Sequence, residues 1–125
     1  MAQAFGTNWG THSTQTTCGS AFAPHPIFSG VRQVCIVFGI DLIVSAPSVA
    51  LAWDGRGYAA VSVASHGSGK VVVLSDINAL ENECVYNGDN LLFGLNVFGW
   101  LAGVSITPPP RQTRIYLPFL NRNPA

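Results

Sequence analysis

The spacing of apolar residues changes twice along the chain. Residues 1–26 are rich in Gly, Ser, Thr, Asn and Gln and hold no sustained apolar period. This predicts a long irregular segment closed by a turn, where Pro24 and Pro26 push their predecessors out of the helical region and Gly30 permits a reversal. From Val31 the texture becomes β-branched in short runs: "VRQVCIVF", "IDLIVS", "SVALAW", "YAAVSVAS" and "GKVVVLSD". Gly39, Pro47, the "DGRG" of Asp54 to Gly57 and the "HGSG" of His66 to Gly69 separate them, so they read as successive strands joined by turns. In the last of them, Val71, Val72, Val73 and Leu74 follow one another without alternation, which predicts a central strand over Lys70 to Ser75 covered on both faces.

The spacing then turns helical. "GDNLLFGLNVFGWLAG", Gly88 to Gly103, predicts a helix from Asn90 to Ala102 with Asp89 or Asn90 as N-cap and Gly103 as its stop. Leu91, Leu92, Leu95, Phe98 and Leu101 are set to face the sheet, leaving Phe93, Val97 and Trp100 to find cover elsewhere. Asn96 is too central to cap and is expected to satisfy a backbone group of a neighbouring segment in a dry layer. Asn90, Asn96 and Trp100 are thus structural residues on this reading. The apolar run Leu91 to Ala102 falls short of the roughly 20 residues a membrane span needs. Residues 104–125 read as a Pro-rich linker and a tail with an aromatic-apolar patch at Ile115 to Leu120. The expected organisation is one domain over 1–103, with its irregular segment at 1–26, followed by that tail.

Charge narrows the partners. Six basic and six acidic residues in 125 cancel formally, and only 10% of the chain is charged, so neither nucleic acid nor an anionic membrane is favoured. An apolar content of 48% and a mean hydropathy of +0.32 are high for a free-standing domain. They point to a protein partner, either another domain or self-association through apolar surface. Cys18, Cys35 and Cys84 lack zinc-site spacing. Cys35 reads as a small buried hydrophobe, while Cys18 and Cys84, in polar sequence, are free to pair in an oxidising compartment. The first residues hold no basic region followed by an apolar stretch, so no secretory signal is read.

Candidate chemistry is sparse. Asp76, at the carboxyl end of the apolar strand, is followed by Asn78, Glu81, Glu83 and Asp89. Asp76, Asn78, Glu81 and Asp89 form the candidate ligand-binding set, oxygen donors of the kind a hard cation or polar ligand takes. They lack EF-hand spacing, and the same residue types serve turns and caps, so no metal and no cofactor are expected. Cys18, Ser75, His25, His66 and Asp76 supply the groups of a nucleophilic centre without a nucleophile elbow or an oxyanion turn. No catalytic residue is assigned.

The order "HPIFSGV", strands, "GKVVVLSDINALEN", "GDNLLFGLNVFGWLAG" resembles the C-terminal half of class I glutamine-amidotransferase-like domains of the flavodoxin-like superfamily, over about 21–103. The resemblance rests on His25 and Pro26, Gly69 to Asp76, Gly88 to Asn90, Asn96 and Trp100 to Leu101. It implies an α/β, sheet-dominated, partial flavodoxin-like layer fold with one main C-terminal helix. The first βα units of such domains have no counterpart here, nor does their nucleophilic cysteine, and His66 is followed by Gly67 and Ser68 rather than by the family's glutamate. Tyr116 to Pro118 separately resembles the endings of exported proteins of green non-sulfur bacteria, which favours an extracytoplasmic setting. The function expected is a non-catalytic binding or interaction module within a larger exported or envelope-associated protein. The alternative is a small hydrolase with an unrecognised Cys or Ser centre.

Overall fold

The structure, a computed structural model, describes residues 5–106. The Pro-rich linker from Pro108 and the Ile115 to Leu120 patch lie outside the described residues. Among those described, eight strands and one α-helix follow in the order β1 (Thr7–Ser13), β2 (Thr16–Gly19), β3 (Ala21–Phe22), β4 (Val34–Val37), β5 (Ile40–Val44), β6 (Val49–Trp53), β7 (Ala59–His66), β8 (Gly69–Leu74) and α1 (Asn90–Ala102). Short 3-10 turns lie at Pro26–Phe28 and Asn78–Leu80. The domain is sheet-dominated with a single main helix.

The largest sheet has the order β3-β6-β7-β8, and the pairs β1-β5 and β2-β4 stand beside it. Every pairing is antiparallel. This is not the flavodoxin-like layering expected, in which central parallel strands carry helices on both faces. Residues 1–26 are also not an irregular loop, since they hold β1, β2 and β3. Only Thr7 of β1 is buried. A strand held by backbone pairing along a mostly solvated surface has no apolar alternation to display, which is why the pattern missed it.

Residues alternate between the faces of the large sheet. Val61 joins a core with Ile27, Phe28, Val34, Ile36, Leu51 and Phe93, against which Val72, Leu74 and Trp100 pack. On the other face, the hydroxyl of neighbouring Ser62 lies 2.8 Å from that of Thr7, which also donates to Ser48 at 2.9 Å. The β1-β5 pair therefore covers one face, and α1 with the Pro26–Phe28 turn covers the other. Phe22, Phe28 and Phe93 form a stack, with centroids 4.4 and 5.5 Å apart and rings within 8° of parallel.

Three further expectations are corrected. The strand β8 is the edge of the large sheet, not its centre. Its unbroken apolar run reports partial cover on both faces, which an edge strand receives as readily as a central one. The helix is turned relative to its expected orientation: Phe93 and Val97 are buried, whereas Leu91, Phe98 and Leu101 are exposed. Finally, Cys18 pairs with Cys35, its direct partner across β2 and β4, leaving Cys84 free. The pairing register brings their Cα atoms to 4.0 Å, a proximity that sequence separation does not disclose.

The helix orientation yields a direct test. Truncating Phe93, 1% exposed, to Ala is expected to cost about 3–5 kcal/mol through the cavity left in the stack. Phe98→Ala, at a position 64% exposed, is expected to change stability by no more than about 0.5 kcal/mol. Urea melts of both variants check this, and equal losses would contradict the observed rotation.

Candidate functional site

The polar residues picked out in sequence converge, but on the protein's own backbone. One side of β4 pairs with β2, and no described strand pairs with the other. Side chains take its place. Asp89 Oδ2 accepts from the Arg32 and Gln33 amides at 2.7 and 3.2 Å, and the Asp89 amide donates to the Gln33 carbonyl at 2.9 Å. Asn90 Oδ1 accepts from the Cys35 amide at 2.8 Å while its Nδ2 donates to the Cys35 carbonyl at 2.9 Å. Asp76 Oδ2 accepts from the Val37 amide and Asn78 Nδ2 donates to the Val37 carbonyl, at 2.6 and 3.1 Å.

Three of the four candidate ligand residues, Asp76, Asn78 and Asp89, are thereby occupied, and Glu81 is exposed, joined to Asn78 through its own amide, which donates to the Asn78 carbonyl at 3.0 Å. No group of three or more acidic, His or Cys side chains suited to a metal occurs among the described residues. The capping expectation for Asn90 is also revised. Asp89 holds the N-cap position without a side-chain cap bond, and Asn90, completely buried, spends its amide on β4 and on the Ala79 and Cys84 carbonyls at 3.1 and 3.3 Å. Asn96 donates to the carbonyls of Ile27 and Ser29 at 3.2 and 2.9 Å, tying α1 to the Pro26–Phe28 turn.

The groups considered for nucleophilic chemistry are engaged separately. Cys18 is in the disulfide. His25 Nδ1 accepts from the Ile27 amide at 3.3 Å, and the ring meets Trp100 edge-on at 4.8 Å. His66 lies edge-on to Phe5 at 5.4 Å. The Asp76 carboxylate is held by the Val37 amide and, at 2.6 Å, by the Asn78 amide. Beside the C-terminal end of α1, Lys70 Nζ donates to the Trp100 carbonyl at 2.7 Å and lies 5.0 Å over its ring, a cation placed where the helix dipole favours one. Lys70, Trp100, Asn96, Pro26 and Ile106 line an open cleft of about 350 Å³ there.

A polar network that the pattern did not single out joins β1, β5 and the turn after β6. His12 stacks on Tyr58 at 4.3 Å, and its Nδ1 lies 3.2 Å from Asp41 Oδ2. Arg56 pairs with buried Asp54 at 2.9 Å, reaches the Ser13 carbonyl at 2.9 Å and lies over the Tyr58 ring. A Cβ at Gly10 would strike the Asp41 carboxylate, so the missing side chain is what admits it. Burial opposes ionisation of Asp41, but the His12 amide and ring, the His12 charge and its own amide outweigh this and hold the carboxyl below its ordinary value. No nucleophile is hydrogen-bonded to His12 or Asp41 among the described residues. Arg56 is consumed within the network, which therefore fastens β1 to the large sheet. The only signal for it was the pairing register, which is not written in the sequence.

Among the described residues, none covers the most outward-facing side chains of α1. The helix carries no charged residue, and Leu91, Leu95, Phe98 and Ala102 recur at helical spacing away from the core, flanked by Leu101. Leu91, Phe98, Leu101 and Val104 are all exposed. No described helix is long and apolar enough to cross a membrane.

Such a chain is, by class, a sheet-rich mixed α/β domain with one helix laid on an antiparallel sheet. No protein-family model matches it, and no curated protein matches it. Among solved structures it is similar to one described as the mmIFT52 N-terminal domain, with a TM-score of 0.68 and 17% identity. The match covers 85% of this chain and 57% of that one, so the chain spans little more than half of that structure's length. This likeness speaks to the fold. With the antiparallel pairings, it overturns the amidotransferase-like resemblance read from the sequence.

Two outcomes are expected from this geometry. Asn90→Ala strands the Cys35 amide and carbonyl in a dry layer and is expected to cost about 3 kcal/mol in denaturant melts. The second concerns acid. Burial holds the His25 imidazole below its ordinary value of 6.5, so the unfolded chain takes up this proton first. Stability contributed by neutral His25 is present above 6.5 and is lost as pH falls through the folded value. The Asp41 contribution is present above 3.8 and is lost lower still, as pH falls through its depressed value. His25→Asn keeps an acceptor for Ile27 and is expected to remove the upper limb of a stability-against-pH curve while leaving the lower one. A curve identical to that of the unsubstituted protein would contradict the assignment.

Proposed function

We propose that this chain is a non-catalytic interaction module that docks through the outer face of α1 onto an apolar surface of another protein domain. The observation that carries the reading is the uncharged helix whose outer side leaves Leu91, Phe98, Leu101 and Ala102 exposed, with half-buried Leu95 between them, and without cover from any other described residue. Contiguous apolar surface of this kind marks contact sites, and exposed aromatics such as Phe98 are frequent anchors in them. The occupation of Asp76, Asn78 and Asp89 by backbone groups supports a scaffold role for the residues that most resembled a ligand site. The Cys18–Cys35 bridge supports a setting that preserves disulfides, and so an exported or envelope-associated parent protein.

A photo-crosslinking residue at position 98, in the chain expressed in its native host, is expected to capture one defined protein that is also captured from position 101. The same residue at Ser68, on the β7–β8 turn, is expected to capture none. Phe98→Glu should weaken that association by about tenfold or more. Labelling of Ser75 or Cys84 by serine- or cysteine-directed activity probes, abolished by prior denaturation, would overturn the reading in favour of a hydrolase.

A further inference from the structure

The large sheet ends on one side in β3, only two residues long, and on the other in β8, six residues long. Short edge strands protect themselves; long, regular ones offer a pairing template. The Ser75 amide donates to the Ala60 carbonyl at 2.9 Å, and the register runs from Val61↔Leu74 to His66↔Gly69 without a shift. Antiparallel alternation then directs Gly69, Val71 and Val73 toward β7. The N–H and C=O groups of Lys70, Val72 and Leu74 point outward, and no described strand pairs with them.

The contrast with β4 is informative. There the strandless side is closed by Asp76, Asn78, Asp89 and Asn90. Among the described residues nothing closes the β8 edge in this way, and the strand has no bulge and no proline. Its one charged residue, Lys70, is drawn away to the Trp100 carbonyl rather than standing guard over the edge.

We infer that β8 pairs with β8 of a second copy of this chain, antiparallel about a two-fold axis at Val72, so that two four-stranded sheets become one. The edge is self-complementary in this register. Val72 faces its own counterpart, Lys70 faces Leu74 of the second copy, and Val71 faces its Val73. The two lysines stand at opposite ends of the pairing, roughly 13 Å apart at about 3.4 Å per residue, so they do not oppose each other. A formal net charge of zero leaves no overall repulsion between copies. This pairing uses backbone groups of β8 and does not depend on the outer face of α1.

Amide exchange of the full chain, read by NMR across a dilution series alongside sedimentation, tests the inference. At high concentration a dimer is expected, with the Lys70, Val72 and Leu74 amides gaining tenfold or greater protection. The Val71 and Val73 amides, already bonded to β7, are protected at every concentration. Val71→Glu with Val73→Glu sets like charges opposite each other across the axis and should give a monomer. Val71→Glu with Val73→Lys sets opposite charges there and should restore the dimer. Phe98→Glu should leave this dimer intact, which separates its failure from failure of the α1 reading. A monomer at all concentrations, edge protection that is independent of dilution, or a dimer without protection at Lys70, Val72 and Leu74 overturns the inference. These readouts on the unsubstituted chain stand even if a charged variant fails to fold.

Discussion

The fold depends on how the strandless side of β4 is closed. A buried strand edge would leave amides and carbonyls unpaired at roughly 1–3 kcal/mol each, and no described strand pairs with it. Asp89, Asn90, Asp76 and Asn78 close it in chain order along β4, serving Gln33, Cys35 and Val37 in alternation. Asn90 is the centre of this closure because its amide both accepts from and donates to one residue, as a neighbouring strand would. Cys35 is also bridged to Cys18 on β2. One residue is thus held covalently from one side and by a buried amide from the other. Closing a loop of this length with a disulfide is worth on the order of 3 kcal/mol, comparable to the amide clasp it faces.

What could be read from the sequence follows what each element does with its surface. Each of the five apolar runs holds a strand, and the helix spans Asn90–Ala102 with Gly103 closing it in a left-handed conformation at φ 71°. These elements either bury side chains or stop abruptly, and both acts leave marks in composition. The strands β1 and β2 bury almost nothing and left no mark. Strand order is likewise silent: Val71 to Leu74 announces cover on two faces, and an edge strand between α1 and the β1-β5 side receives it. The acidic and amide residues of the candidate set were visible as a cluster. Their purpose was not, because a carboxylate facing a ligand and one facing a backbone amide are the same residue in a sequence.

The rotation of α1 shows a subtler limit. With apolar residues on nearly every side, the helical pattern cannot select the buried face, since Leu91, Leu95 and Phe98 satisfy it as well as Phe93 and Val97 do. Polar anchors decide. Asn90 must reach Cys35 and Asn96 must reach Ile27 and Ser29. Two short side chains six residues apart, each committed to fixed carbonyls, fix the helix about its own axis. The stack of Phe22, Phe28 and Phe93 then fills the space this orientation creates.

Because those anchors set the rotation, they also set what the helix presents outward. A helix advances about 100° per residue, so burying Phe93 and Val97 obliges Leu91, Leu95, Phe98 and Ala102 to lie on the far side. Lys70 grips the last turn through the Trp100 carbonyl, and Asp89 and Asn90 grip the first. The outer stripe is therefore held at both ends on a rigid platform rather than carried on a loop. On the proposed docking role, a surface ordered in advance would lose little conformational freedom on association. The buried polar residues, committed to backbone groups, determine in this way which apolar residues the helix presents outward.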